Sequence, residues 1–179
     1  MKATGIVRRI DDLGRVVIPK EIRRTMRIRE GDPLEIYTDK EGGVIFKKYS
    51  LMGGLTEFAG QLCETLNRTA GRTCVITDRD SCIAVSGAPR RELADKPISP
   101  RLEQLMEGRQ IYQYKEGERV SLCAGEDKYL VNVAAPILSE GDVLGCVVFA
   151  GAQEEAPAGE VEYKLAQTVA GFLGRHMES

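Results

Sequence analysis

The stretch LGRVVIPKEIRRTMRIREGD, residues 13–32, decides how the first part of this chain folds. Gly14 permits a turn, the β-branched run after it predicts a strand, and Pro19 suits the first position of a short amphipathic helix. The stretch is also strongly basic. Residues 1–29 contain nine of the 25 Lys and Arg residues and only three acidic ones, although the whole chain has a net charge of −2. The function of this segment has to account for that local positive charge.

Four short strands and one helix are predicted around this stretch. ATGIVRRI and RVVIP predict the first two strands, and LEIYTD and VIFKKY predict two more around the turn KEGG. A unit of about 50 residues buries too little apolar surface to be stable alone. We therefore expect it to dimerise by interleaving its strands with those of an identical chain, which would merge two half-cores and remove sheet edges.

Charge divides the chain into a basic and an acidic part. Residues 1–50 carry a net charge of +4 and the remaining residues −6. Basic clusters are usually solvated surface, but Arg outnumbers Lys seven to two in residues 1–29, and the planar guanidinium fork binds phosphates and base edges well. Because this segment has no zinc-finger ligands, basic-zipper heptads or aromatic-rich single-strand motif, the residues favour double-stranded DNA as the partner.

A second unit begins after the glycine pair at 53–54. Apolar residues recur with a helical period from Leu55 until Gly71, which predicts an amphipathic helix. Strand pairs TCVIT with CIAVSG and YLVNVAAPIL with DVLGCVVFAG follow, separated by a polar helical stretch near 90–108, and a long helix begins near Gly159. The expected organisation is a DNA-binding domain at residues 1–50, a linker at 51–55 and a second domain at 56–179.

Nearly all of residues 1–49 resembles the swapped-hairpin DNA-binding domain of the AbrB-type bacterial transition-state regulators. The blocks TGIVR, LGRVVIP and GDPLEIY stand in the family's order without a gap. The resemblance implies an intertwined homodimer that binds A/T-rich control regions with little fixed base sequence. It also implies a DNA face formed by the arginines at the family's positions, which are Arg8, Arg15, Arg23 and Arg24. Three further basic residues are additional candidates of lower rank: Arg9, Lys2 and Lys47.

The second unit resembles a GAF domain, and the two units together resemble developmental regulators of endospore-forming bacteria. This implies a homotetramer in which swapped-hairpin dimers are joined through helical bundles, and both activation and repression of sporulation genes. The expected fold class is α+β, with an N-terminal swapped-hairpin β-barrel dimer and a C-terminal α/β GAF-like domain flanked by long helices. GAF domains often hold a small molecule, but the sequence identifies no ligand, and a domain that only oligomerises remains an alternative.

Two other functions remain open from the residues. Some GAF-like proteins are cysteine-dependent methionine sulfoxide reductases, and a thiol sensor would use the same residues, yet the cysteines lie mostly within apolar strand runs that favour burial. Related swapped-hairpin heads also occur in antitoxins. Four cysteines lie within the GAF-like region: Cys74, Cys82, Cys123 and Cys146.

We predict that the chain is not an enzyme and binds neither a cofactor nor a metal. The one histidine, His176, lies near the end of the last helix, where a cation at the carbonyl end is the ordinary explanation. The five cysteines are expected to be reduced thiols. No apolar run reaches the roughly 20 residues of a membrane span, so the expected location is the cytoplasm, in association with the nucleoid.

Overall fold

The computed structural model describes residues 3–178, which form two compact units with a boundary between Tyr49 and Ser50. We call residues 3–49 the head and residues 50–178 the second unit. None of the helices in residues 3–178 combines the length and apolar character needed to cross a membrane.

The head contains one short helix and one β-hairpin. Helix α1 spans Lys20–Thr25, and strands β1, Leu34–Thr38, and β2, Val44–Lys48, pair antiparallel. The helix is shorter than its sequence pattern because the chain closes it by a C-terminal turn, in which the Ile28 N–H donates to the Arg23 carbonyl at 2.8 Å. The hairpin turn is fixed by Asp39, whose side chain accepts the backbone N–H of Gly43 at 2.7 Å.

The two strands predicted over ATGIVRRI and RVVIP are not formed within the single chain. Residues 3–19 contain no helix or strand, and a tight turn is their main local feature: Asp11 N–H donates to the Arg15 carbonyl at 3.1 Å, and Gly14 N–H to the Asp11 carbonyl at 3.0 Å. The prediction of four strands is therefore wrong for one chain. The physical reason is that extended backbone becomes a strand only when a neighbouring segment supplies hydrogen-bond partners.

The head also lacks a hydrophobic core of its own. Among residues 3–49, Pro19 is the single buried residue. The exposed fractions of Val7, Leu13 and Val17 are 88%, 71% and 70%. A row of apolar side chains left in water is unfavourable, so these positions indicate a surface that something else covers.

The second unit is an antiparallel sheet between helices. A turn of 3₁₀ helix, Gly53–Leu55, leads into the unit. The remaining elements, in chain order, are α2 Thr56–Ala70, β3 Thr73–Asp78, β4 Cys82–Ser86, α3 Arg90–Leu93, α4 Pro100–Glu107, β5 Tyr112–Gln113, β6 Val120–Ser121, β7 Leu130–Ser139, β8 Asp142–Gly151 and α5 Glu160–His176. The strands lie in the sheet in the order β4-β3-β8-β7-β5, and β6 pairs with another part of β7.

Both faces of the sheet are covered. On one face, α2 and α5 bury a core that includes Phe149 and Leu173, and the rings of Phe58 and Phe172 lie 6.0 Å apart between the two helices. On the other face, α3, α4 and the segment after β6 bury a core that includes Leu102 and Met106. The two long helices predicted at the ends of this unit therefore pack on the same side of its sheet.

Candidate nucleic-acid interface

The basic residues predicted to bind DNA are spread over the head. Arg8 and Arg9 lie in the segment without regular structure, Arg15 lies in the tight turn, and Arg23 and Arg24 form the last turn of α1. All five side chains are exposed. Lys47 is exposed on β2, and Lys2 lies outside the described residues.

Arg15 is held in place by Asp11. Its Nε donates to Asp11 Oδ2 at 2.7 Å, while Asp11 Oδ1 accepts the backbone N–H groups of Leu13 at 3.0 Å and Arg15 at 2.8 Å. The backbone hydrogen bond from Arg15, followed by its guanidinium, holds the pKa of Asp11 below its usual value. The Arg15 side chain is still 69% exposed. The ion pair thus holds the guanidinium at the turn while leaving it exposed. The negative charge of Asp11 also partly neutralises the positive charge of Arg15.

Helix α1 presents its arginines at the carbonyl end, where positive charge is favourable. Arg23 and Arg24 are adjacent in sequence and therefore point about 100° apart around the helix axis, which widens the surface they can reach. Arg27, just beyond the helix, is exposed and has a left-handed backbone with φ of 51°. The resemblance assigns no role to Arg27, but Arg27 extends the row of exposed arginines beyond the end of the helix.

A lysine on β2 fixes the end of α1 to the hairpin. Lys48 Nζ donates to the Arg27 carbonyl at 2.7 Å and lies 3.6 Å from Asp32 Oδ2. The same Asp32 carboxylate accepts the backbone N–H of Arg29 at 2.8 Å. These positioning residues were not predicted from the sequence, because a lysine on a strand and an aspartate in a turn are ordinary surface residues in any sequence pattern. Neighbouring Lys47 has a different role, since its ammonium lies 4.6 Å from the centre of the Tyr37 ring.

The cysteines of the second unit bear on the reductase alternative. All five are buried. Burial raises the pKa of Cys146, and the Cys63 thiol, together with burial, raises that of Cys74. The pKa of Cys123 is lowered by the adjacent Cys82 thiol, but its side chain is only 2% exposed. A surface-accessible thiolate, which reductase turnover of a substrate requires, is not present among these residues.

The family model for the C-terminal transcription-factor domain of stage V sporulation protein T matches residues 54–178. This chain belongs to the stage V sporulation protein T family. Stage V sporulation protein T of Bacillus subtilis (strain 168) is 49% identical over 179 residues, which cover 99% of each chain. The similarity therefore includes both units.

Two further similarities concern the separate units. The head is 65% identical over 49 residues to the transition state regulatory protein AbrB of B. subtilis, covering 27% of this chain and 50% of that protein. A model for MazE bacterial antitoxins, the antidote-toxin recognition family, matches residues 7–51. The GAF domain of PixJ from Thermosynechococcus elongatus, in its blue-light absorbing form, superimposes with a TM-score of 0.54 at 15% identity, covering 73% of this chain and 89% of that one. This last likeness shows the fold alone.

Membership in the stage V sporulation protein T family confirms the main predictions. The chain is a sporulation transcription regulator with an AbrB-like DNA-binding head, and its α+β fold includes a GAF-like second unit. The antitoxin similarity is confined to the head, whereas the second unit is a folded domain with its own family match, unlike a short segment that wraps a toxin.

Proposed function

We propose that this regulator binds A/T-rich promoter DNA as an intertwined homodimer and that it both activates and represses sporulation genes. Its DNA face consists of Arg8, Arg15, Arg23 and Arg24, with Arg9, Lys2 and Lys47 at the margin. The observation that carries the proposal is the missing core of the head, where Pro19 is the one buried residue among residues 3–49.

The missing core supports a second copy of the chain as the partner. The uncovered apolar residues lie on both sides of the turn at Asp11, in the segments predicted to be strands. A second head would supply backbone partners for these segments and cover their side chains at the same time. An interleaved pair of hairpins satisfies both needs, because each copy completes the sheet and the core of the other.

Dimerisation would also complete the cationic surface. Arg8 and Arg9 lie where the single chain has no regular structure, so their direction depends on the pairing of their segment. Two copies would duplicate every arginine across a twofold axis and give a repeat that can match successive turns of a duplex. Phosphate contacts of this kind supply affinity, while the narrow minor groove and stiffness of A/T-rich sequences supply preference.

Assembly into a homotetramer through the second unit is the next part of the proposal. Helix α5 carries two exposed apolar residues, Val161 at 60% and Phe172 at 49%. The Phe172 ring stacks on His176 at 6.1 Å, and Phe58 of α2 lies 5.5 Å from the same histidine ring. This aromatic surface supports association between helices α2 and α5 of different dimers.

A small-molecule effector of the second unit also belongs to the proposal. The face of the sheet beneath α3 and α4 is occupied by fully buried Leu93, Ile98 and Leu122. A cleft of about 210 Å³ lies instead between α5 and β7, with an apolar floor and two polar side chains, Arg109 and Gln167. The cleft is the better candidate site because its space is open.

We further propose that the protein is not an enzyme and acts in the cytoplasm on the nucleoid. Family membership and the burial of all five thiols support the first statement, and the DNA partner supports the second.

Binding of the full-length protein to labelled duplexes tests the proposed function. Fluorescence anisotropy at low ionic strength should show tighter binding to an A/T-rich promoter fragment than to a G/C-rich fragment of equal length, with an even number of chains per complex by native mass spectrometry. Equal affinity for both fragments would remove the proposed A/T preference, and no binding to either would overturn the function.

A further inference from the structure

Two buried cysteines of the second unit face each other. Cys82 is the first residue of β4, and Cys123 follows β6 closely in sequence. Their sulfur atoms lie 3.9 Å apart, and their side chains are 0% and 2% exposed. The two residues are 41 positions apart in sequence, so the fold alone brings them together.

Backbone hydrogen bonds hold both cysteines beside one intervening segment, residues 95–99, directly for Cys82 and through its neighbours Leu122 and Ala124 for Cys123. On one side, the Cys82 N–H donates to the Lys96 carbonyl at 3.0 Å, and the Asp95 N–H donates to the Cys82 carbonyl at 2.8 Å. On the other side, Ile98 forms a β-bridge with Cys123. The backbone pairing therefore holds the two residues close to each other on opposite sides of this segment.

The two thiols differ chemically. A hydrogen bond from the Cys82 thiol lowers the pKa of Cys123, and the charge of Lys96 acts in the same direction, while burial and Glu126 oppose them. The pKa of Cys82 is raised, first by the same contact and then by burial. Cys123 is consequently the member of the pair that loses its proton more readily, and Cys82 is the member that holds its proton more strongly.

An exposed loop follows Cys123 closely in sequence. Residues 125–128, which begin two positions after Cys123, are exposed. The loop is held by ion pairs of Lys96 with Glu126 and of Lys128 with Glu92, and by a hydrogen bond from Ser121 Oγ to Asp127 Oδ1 at 2.5 Å. Because surface ion pairs contribute little to stability, local opening of a loop held in this way costs less than opening of the core.

We propose that Cys82 and Cys123 form a reversible dithiol–disulfide site that hydrogen peroxide oxidises. The Cys123 thiolate attacks one peroxide oxygen, the O–O bond breaks, and the leaving hydroxide takes a proton to become water, which leaves a sulfenic acid on Cys123. Cys82 sulfur then attacks Cys123 sulfur, the S–O bond breaks, and the departing hydroxide takes the Cys82 proton as a second water. Two thiols lose two protons and two electrons, and one peroxide accepts them.

The geometry requires a modest approach of the two sulfurs. The gap of 3.9 Å must shorten to a disulfide bond of about 2.05 Å. The product would link β4 covalently to the segment after β6, two parts of the second unit that now share only non-covalent contacts. This site is separate from the proposed DNA face and from the proposed functions of the head.

The other cysteines provide internal comparisons. Cys146 is fully buried in β8, and burial is what raises its pKa. Cys63 and Cys74 interact with each other, but they lie at 0% exposure in the core between α2 and the sheet. Peroxide reaching the protein from solvent should therefore oxidise the pair next to the exposed loop before it oxidises these three thiols.

Peptide mapping of the full-length protein tests this selectivity directly. Cleavage after Lys and Arg places the five cysteines on five different tryptic peptides, with Cys82 on residues 80–90 and Cys123 on residues 120–128. After peroxide treatment and alkylation in denaturant, we expect these two peptides to be crosslinked, the free thiol count to fall from five to three, and dithiothreitol to reverse both changes. Recovery of five alkylated thiols, or equal crosslinking of Cys63 with Cys74, would overturn the proposal.

Two serine variants separate the roles of the two sulfurs. In Cys82→Ser the hydroxyl can still donate to Cys123, but no resolving thiol remains, so peroxide should leave a Cys123 sulfenic acid that dimedone traps. The matched control, Cys146→Ser, also replaces a fully buried thiol and should keep the crosslink. Absence of the dimedone adduct in a folded Cys82→Ser protein would contradict the proposed order of attack. The map of the unaltered protein decides the proposal even when a variant does not fold.

Discussion

Removal of the two arginines at the end of α1 should weaken the dependence of DNA binding on salt. Arg23 and Arg24 lie in the last turn of α1, and both residues are exposed. Replacing both with Ala should therefore change the free energy of unfolding by under about 0.5 kcal/mol per site. The effect of the double variant on DNA binding can then be assigned to lost contacts with the duplex.

The size of the effect follows from the number of arginines on the proposed face. Four per chain give eight in a dimer, so the slope of log K against log salt should be about −7 at roughly 0.9 per contact. The double variant retains four contacts and should have a slope of about −3.6. Between 50 and 200 mM salt, affinity should fall about 10⁴-fold for the unaltered protein and about 10²-fold for the variant. Full compensation of Arg15 by Asp11 would reduce the starting slope to about −5.

The second unit supplies a matched control. Arg90 and Arg91 are also adjacent, exposed and part of a short helix, α3. Their replacement by Ala removes the same charge from the chain but should leave the salt slope unchanged. Anisotropy titrations at several salt concentrations measure all three slopes. A wild-type slope shallower than about −3, or equal slopes for the head variant and the control, would refute the proposed DNA face.

Three further outcomes test the dimer, the head turn and the second unit. Val17→Asp should abolish the pairing of the heads and DNA binding, so sedimentation should show a smaller assembly than for the unaltered protein, although Val17 is 70% exposed in the single chain. If the heads did not pair, the variant would change the free energy of unfolding by under about 0.5 kcal/mol and would leave the assembly unchanged. The pKa of Asp11 is lower in the folded head than in the unfolded chain, so its stabilisation of the turn is complete above the unfolded pKa of about 4 and is lost as the pH falls through the folded pKa. The NMR shifts of the amides in this turn should follow that titration, and Asp11→Asn should abolish the pH dependence. Gly145→Ala places Cβ 1.9 Å from a carbonyl oxygen of β3 and should lower the free energy of unfolding by about 1 to 3 kcal/mol. Gly60 lies in α2 with no atom close to its added Cβ, so Gly60→Ala should raise the free energy of unfolding by about 0.5 to 1 kcal/mol. Urea denaturation measures both changes.

Regular local patterns made much of the second unit predictable. Helix α2 ends at Gly71, as its period predicts, because that residue adopts a left-handed backbone with φ of 68° and its N–H reaches the Asn67 carbonyl at 2.8 Å. The turn SEGD joins β7 to β8, and Glu140 and Gly141 both have positive φ, as a two-residue hairpin requires. The helical stretch near 90–108 was less well predicted, since it is two separate helices, with Pro97 between them and Pro100 as the first residue of the second.

Features that depend on distant or separate chain segments could not be read from local patterns. The strands predicted in residues 3–19 lack a pairing partner within the chain, so the same β-prone sequence remains irregular there. The contact of Lys48 with the end of α1 and the contact of Cys82 with Cys123 join residues 21 and 41 positions apart. The proposed DNA face follows from the resemblance of residues 1–49 to the AbrB-type regulators, and the affinity of guanidinium groups for phosphate is the physical reason to expect a basic segment there.

Isotope-filtered methyl NMR on a mixed dimer tests most directly whether two heads complete one core. One population of the full-length protein carries ¹³C-labelled methyl groups and the other is unlabelled, and the two are mixed after denaturation and refolding. The account predicts nuclear Overhauser contacts between chains from the methyl groups of Ile10, Val16 and Val17. Signals from these methyl groups that connect only to protons of the same chain, in a folded head, would contradict it.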